Sequence, residues 1–370
     1  MKPILKSILK PIVQSNDSAP AIVENEFNKF QAQCHKLFHK VLFEGARLPH
    51  SIALPLLFGH RSPTPPKILD RMREDLQNLV AQDIENVSSG AYPKALLKFP
   101  IVSHVASGLK WGPRDFLRIV QRSKARNFLD LPSHALEGNY PSYYLRTFHW
   151  QTDGWFSEKS AQRYDASVEF LFGGAANMMR RMTLPPITAL FQKKSVPQNG
   201  ASGKTQMRIL ELACGTGSFL QQIRAAYPYA ALTGLDLSPD YINFARKNLP
   251  DLTIKLVAEN AERISFADET FDAVICINLF HELPPDARRN VFREARRVLK
   301  RGGIFSVSDS IQAVDSDYLE GIMKRFSERF HEPFYPHYVK DDLAGIFSEC
   351  GFSDVVSRPH LFSKAVFGFK

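Results

Sequence analysis

Cysteine is scarce in this chain. Its 370 residues hold four, Cys34, Cys214, Cys276 and Cys350, far apart and with no C-x-x-C pair. That spacing offers neither a disulfide framework nor a zinc site, so no metal is expected and a reducing, cytoplasmic setting is the default. Long apolar runs are missing as well: nothing approaches the ~20 residues that span a bilayer, and mean hydropathy is -0.22. The opening M-K-P-I-L-K-S-I-L-K-P-I-V alternates lysines with short aliphatic pairs. It lacks the uninterrupted apolar region and small-residue cleavage site of a secretory signal. A frayed or docking segment is expected there, with peripheral membrane contact as the alternative. No run of five basic residues occurs, although the formal net charge is +9. Residues 1–205 carry 27 basic and 16 acidic side chains, residues 206–370 carry 20 and 22. Such an excess suits an acidic partner such as nucleic acid, or a solvated face; the missing basic run favours the face. Gly203-Lys204-Thr205 lacks the partner glycine of a P-loop, since position 198 is Gln198.

The composition that remains is globular, 44% hydrophobic and 23% charged, and long enough for two domains. Apolar residues from Phe27 to Leu42 recur at helical spacing over 21–43, and again over 67–80 and near 113–123. Residues 1–150 therefore read as a helical N-terminal domain. Residues 151–205 read as a helical and aromatic cap with a linker. Within it, 160–181 is one helical region broken by Pro185-Pro186, a second short helix runs through Leu190, and the polar, glycine-rich 198–206 is the linker. An aromatic stretch straddles the first boundary, with Tyr140, Tyr143, Tyr144, Phe148, His149, Trp150, Trp155 and Phe156 in seventeen positions. Large rings with polar tips suit a pocket for a flat or apolar ligand, or the packing of one domain on another.

After residue 206 strand-like and helix-like segments alternate, which points to an α/β domain over 206–370 with a largely parallel sheet. Strands are expected near 208–213, 231–236, 253–257, 271–277, 303–308, 353–358 and 363–369, with a turn at Gly302-Gly303. Within this pattern R-I-L-E-L-A-C-G-T-G-S-F-L reads as strand, glycine turn and helix start, where a sheet receives a nucleoside-bearing ligand. Gly215-x-Gly217 lacks the third glycine of a dinucleotide fingerprint, Leu220 standing there instead. An acid inside the first strand, Glu211, calls for a cationic or hydrogen-bond-donating partner. Asp236 ends the second strand, suited to ribose hydroxyls.

E-L-A-C-G-T-G, G-L-D-L-S, A-E-N-A-E-R-I-S-F, F-D-A-V-I-C-I-N-L-F-H-E-L-P and R-V-L-K-R-G-G follow in that order over 208–308. Together they resemble the ordered motifs of class I S-adenosylmethionine-dependent methyltransferases, of the small-molecule type similar to the ubiquinone/menaquinone-biosynthesis enzymes. The resemblance implies a Rossmann-like, seven-stranded, mostly parallel sheet with a reversed last strand. It implies S-adenosylmethionine as cofactor, with Cys214, Gly215 and Gly217 approaching its methionine and ribose portions and Glu211 nearby. It puts Asp236 on the ribose, Leu237 on adenine, Asn260 and Ala261 at the adenine edge, and Asn278 at the methionine end. Residues 1–140 share no such resemblance.

Asn278-Leu279-Phe280-His281 departs from the [ND]-P-P-[YF] of base N-methylating members, and paired catalytic cysteines and a doubled-glutamate loop are also missing. A small aromatic or apolar metabolite is the expected acceptor. An RNA-modifying or RNA-binding protein, or a non-catalytic cofactor-binding protein, are the alternatives. His281, just past the fourth strand, is the candidate base, with a substrate-lining or structural role as the alternative, and Glu282 is a weaker candidate. Tyr143, Tyr144, His149, Trp150, Phe280, His281 and Tyr335 are the candidate acceptor-lining residues. The segment 310–338 offers rings to cover the pocket.

Overall fold

The computed structural model describes residues 64–97, 117–195 and 206–370, with helical positions 33, 35–37 and 39–40. The helix expected over 21–43 and the linker expected over 198–206 lie almost wholly outside these residues. The helix expected near 113–123 is described from 117 and runs to 125.

Ahead of the sheet come α1 (Pro66–Ser88), α2 (Glu158–Leu171), α3 (Ala176–Arg181) and α4 (Leu184–Ser195). The single helical region expected over 160–181 is two helices. Gly173 and Gly174 sit between them at φ +58° and +81°, a left-handed exit that glycine adopts without a Cβ clash. Pro185 and Pro186 do not end a helix. They lie in the first turn of α4, where a missing N–H leaves no bond unmade.

The sheet contains β1 (Arg208–Leu212), β2 (Ala231–Asp236), β3 (Lys255–Ala258), β4 (Phe271–Ile277), β5 (Leu299–Ser310), β6 (Ser353–His360) and β7 (Ser363–Phe369). Their spatial order is β3-β2-β1-β4-β5-β7-β6. Strands β1 to β5 pair in parallel, and β7 runs antiparallel to both neighbours. The expected seven-stranded, Rossmann-like sheet with a reversed last strand is therefore the fold. Only two residues, Leu361 and Phe362, join β6 to β7, too few for a parallel crossover, so the pair must be a hairpin. Strand β5 begins earlier than expected. Leu299 pairs with Phe271, then residues 300–303 bulge out with Gly302 at φ +67°, before Ile304 pairs with Ala273.

Alternating side chains divide the core between two faces. Leu210, Leu212, Val274, Phe305 and Val307 pack with Val291, Phe292 and Ala295 of α5 (Pro285–Val298) and with Phe347 of α6 (Leu343–Glu349). Ile209, Ala273, Ile275 and Ile304 pack on the other face with Leu184 and Ile187 of α4 and with the helices after β1 and β2. α4 thus covers the sheet directly. Further polar links join this region: Ser306 Oγ donates to the Thr183 carbonyl at 2.9 Å. Arg181 of α3 makes two hydrogen bonds to the fully buried Asp83 of α1, at 2.9 and 2.6 Å. No helix among the described residues is long and apolar enough to cross a membrane.

Candidate active site

Strand order reverses between β1 and β4, and a crevice opens beyond their C-terminal ends. Leaving β1, the chain turns through Ala213, Gly215 and Gly217 at φ +53°, +53° and +76°. Asp236, ending β2, closes on this turn. Its Oδ2 accepts the Gly215 N–H and its Oδ1 the Ser238 N–H, both at 2.8 Å. Burial pushes Asp236 up to about 6, the charge of Glu282 adding to it and the backbone hydrogen bonds opposing it. Glu211 is 2% exposed and its Oε2 has no hydrogen-bond partner. Burial raises its pKa well above the carboxylate range, against the pull of Arg180. Buried polar atoms are nearly always satisfied, so an orphaned carboxylate oxygen on a cleft wall fits a ligand that brings a donor.

The cleft is open to solvent on one side. Of the expected cofactor residues, Glu211, Cys214, Gly215, Asp236, Leu237, Asn260, Ala261 and Asn278 line it. Gly217 does not. A Cβ there would lie 3.0 Å from Leu249 Cδ1 and 3.3 Å from Ala245 Cβ, so this glycine serves the turn and the packing beside it. Asn260 Oδ1 accepts the Glu262 N–H at 2.8 Å, and the Tyr143 hydroxyl donates to Glu262, which sets Tyr143 beside the Asn260 turn.

The acceptor-lining expectations divide. Tyr143 and Tyr144 line the cleft. Phe280 does not: it is fully buried, its ring centroid 4.7 Å from that of Phe292. Trp150 is buried and donates its indole N–H to the Arg329 carbonyl. Tyr335 is buried with its hydroxyl 2.8 Å from Ser310 Oγ. His149 and His281 also fall outside the lining, while Glu282 is part of it. His281 is 8% exposed, with Nδ1 bonded to Asp309 Oδ1 at 2.7 Å and Nε2 4.0 Å from Glu282 Oε1. The residue in the base position is thus tucked behind its neighbour. Asp309 raises the His281 pKa to about 9 in spite of burial.

Residues ahead of β1 supply lining that motif reading missed. Asp165 of α2 accepts the hydroxyls of Thr216, at 2.7 Å, and Ser218, at 2.9 Å, clamping the helix to the glycine turn. Arg180 of α3 lies 3.9 Å from Asp165, buried, with Nε unpartnered. Trp155 meets Tyr164 and Tyr241 edge-on at 5.4 and 5.6 Å, and all three line the cleft. The cue available in the sequence was a charged pair, Arg180-Arg181, inside an apolar stretch.

Behind Glu282 a polar cluster forms. His149 Nε2 lies 3.1 Å from Glu332 Oε1 and 3.5 Å from Glu282 Oε1. One ligand-type atom from each of His149, His281, Glu282 and Glu332 falls within 4.8 Å of all the others. Burial pushes Glu332 up, and the nearby carboxylates raise His149 although burial opposes them.

Residues 209–303 match the family described as "Methyltransferase domain". A demethylmenaquinone methyltransferase from Thermotoga maritima is 32% identical over 38% of this chain and 56% of its own length. A fatty-acid O-methyltransferase from Mycolicibacterium smegmatis is 36% identical over 28% of this chain and 37% of its own. A ubiquinone/menaquinone biosynthesis C-methyltransferase from Desulfotalea psychrophila is 35% identical over 39% and 52%. The chain spans about half the length of these curated relatives. All three likenesses cover only part of this chain.

Proposed function

We propose that this chain, whose C-terminal region is a class I S-adenosylmethionine-dependent methyltransferase domain, methylates a small aromatic or apolar metabolite. The observation that carries the reading is the make-up of one cleft. The buried Glu211 and half-buried Asp236 carboxylates stand at the glycine turn, and the rings of Tyr144, Trp155 and Tyr164 line the same space. S-adenosylmethionine, when bound, supplies a methyl group on a sulfonium, and in-line displacement of that kind depends chiefly on positioning.

Each side chain then has a task. Asp236 accepts the ribose hydroxyls, its oxygens retaining lone pairs beyond the two backbone bonds already made. Glu211 accepts the ammonium of the methionine portion, which its orphaned oxygen suits. Arg180 meets the carboxylate of that portion, its unpartnered Nε suiting the role. Leu237 and Ala261 flank the adenine, with Asn260 at its edge. The aromatic rings exclude water and hold a flat acceptor by stacking and edge contacts. Glu282 is the carboxylate nearest the base position that also lines the cleft, so it is better sited than His281 to receive a proton from the acceptor. The names of the relatives, covering quinone and fatty-acid methylation, agree with a small apolar acceptor.

The test is incubation of the purified protein with methyl-labelled cofactor and, separately, metabolite, RNA and protein fractions of a cell extract. Label in an organic-extractable metabolite is the expected result. Label in RNA or protein alone overturns the acceptor class. Tight cofactor binding with no labelled product in any fraction overturns catalysis.

A further inference from the structure

We propose that His149, His281, Glu282 and Glu332 hold one divalent transition-metal ion at the edge of the cleft. The inference stands apart from the methyl-transfer reading, since it rests on the cluster alone. Four side chains from three separate stretches converge: the turn around residue 149, the turn after β4, and residue 332 beyond the helix Glu320–Arg329. Three of the six separations, 3.1, 3.5 and 4.0 Å, lie about the roughly 3.3 Å between donor atoms around a tetrahedral ion with bonds of about 2.0 Å, and all six lie within 4.8 Å.

Two details separate this cluster from an ordinary set of ion pairs. Glu332 is 1% exposed, yet neither of its carboxylate oxygens accepts a hydrogen bond, its contact with His149 being an unaligned one. A buried carboxylate without donors is costly, and a cation among the four groups supplies what is missing. His281 is also set up as a ligand. It reaches Asp309 through Nδ1, and Asp309 is itself held by the Phe280 and Ser310 N–H groups, both at 2.7 Å. With Nδ1–H donated to that carboxylate, Nε2 is the ring nitrogen turned to the cluster, and a cation arriving there takes the place of its proton. Such a carboxylate–histidine pair is the usual support of a metal-bound imidazole.

The donor set selects the ion. Two imidazoles and two carboxylates suit Zn²⁺, Mn²⁺, Fe²⁺ or Co²⁺; Ca²⁺ and Mg²⁺ prefer all-oxygen shells, and Cu⁺ prefers sulfur. Because Glu282 also lines the cleft, the ion borders the space open to an acceptor. An acceptor bearing a hydroxyl or carbonyl oxygen is the class such an ion favours.

The full-length protein, stripped with a chelator, is titrated with ZnCl₂ by calorimetry and with CoCl₂ by visible absorption. One ion per chain is expected, with the ligand-field bands of a low-coordinate nitrogen–oxygen site for cobalt. Binding is expected to raise the melting temperature of the wild type and to be lost in Glu332→Gln and His149→Gln. Circular dichroism of both variants verifies their fold; should either unfold, Glu282→Gln, at the more open edge of the cluster, takes its place. No binding by wild-type protein overturns the site. So does wild-type affinity retained in the folded variants.

Discussion

One wall of the cleft takes its residues from strand ends: Glu211 in β1, Asp236 closing β2, Asn260 just past β3 and Asn278 just past β4. The other takes Tyr144, Trp155, Tyr164 and Arg180 from helices and irregular chain ahead of the sheet. The first wall is positioned by the hydrogen-bonded ladder, which sets every strand end relative to its neighbour. The second is joined to the sheet by packing and by side-chain links, among them Asp165 to Thr216 and Ser218, Gln151 to the Tyr241 hydroxyl at 2.8 Å and Ser238 to the Trp155 carbonyl, while Arg181 to Asp83 ties α3 to α1. Ladders are redundant and single links are not. The two walls should therefore fail separately under mutation.

The largest effect is expected at the link between α1 and α3. Burial alone would raise the Asp83 pKa, but the Arg181 guanidinium and hydrogen bonds from Arg181, His35 and Tyr92 hold it well below the usual carboxylate range. Asp83→Ala leaves Arg181 buried without its partner, at a cost of about 3–5 kcal/mol, measurable by urea unfolding. The sign with pH follows from linkage. A depressed folded pKa contributes stability fully above the unfolded value of about 4, and that stability is lost as pH falls toward the folded value. Asp83→Asn should flatten that acid limb. An Asp83→Ala protein as stable as the wild type would break the claim that this wall depends on its side-chain links.

Next in size is the strand-end wall. Asp236→Ala removes the acceptor of two ribose hydroxyls, about 1.5 kcal/mol for each charge-assisted bond. Cofactor affinity should fall roughly a hundredfold by calorimetry, while the melting temperature falls only modestly, as the Gly215 and Ser238 N–H groups lose their acceptor. Unchanged affinity would remove Asp236 from the ribose site. Gly217→Ala sharpens the contrast from within the same turn. Its φ of +76° and the 3.0 Å approach to Leu249 predict strain, about 1–2 kcal/mol of stability, with little change in the affinity of folded protein. A large affinity loss without destabilisation would return Gly217 to the ligand.

The same contrast explains how much was legible before the fold was seen. Strand ends are legible because alternation and apolar runs locate strands to within a few residues, and topology then brings Glu211, Asp236, Asn260 and Asn278 together. Gly217 falls outside the cleft lining, and His281, bonded to Asp309 behind Glu282, stands where the structural alternative to a base would put it. A glycine can be required by the ligand or by a neighbouring helix, and sequence does not tell a left-handed turn apart from a close approach. His281 is one residue from Glu282, and one residue decides which side chain faces the cleft. Asp165 and Glu332 carry no cue in the sequence, and Arg180 only its place in a charged pair inside an apolar stretch. Asp165 bonds Thr216 and Ser218 and Glu332 meets His149 across long stretches of chain, Arg180 meets Asp165 from a separate helix, and no local period encodes such pairings.

The smallest effect tests whether Asp236 binds as a carboxylate. In the free protein burial pushes it up to about 6, so below that pH the group is largely protonated. Ribose hydroxyls donating to both oxygens favour the ionised form, so binding lowers this pKa. The dissociation constant should then be flat above about pH 7 and rise toward tenfold per unit below 6. At pH 5 the affinity should be about tenfold weaker than at pH 8. Glu211, raised by its own burial, and Glu282, whose charge bears on Asp236, also face this region. Metal-free Asp236→Asn protein, run in parallel, separates them. If the profile belongs to Asp236, the variant binds weakly but with no inflection near 6. If the inflection survives in the variant, the strand-end wall owes its pH dependence to another carboxylate, and Glu211, raised by burial, is the one to replace next.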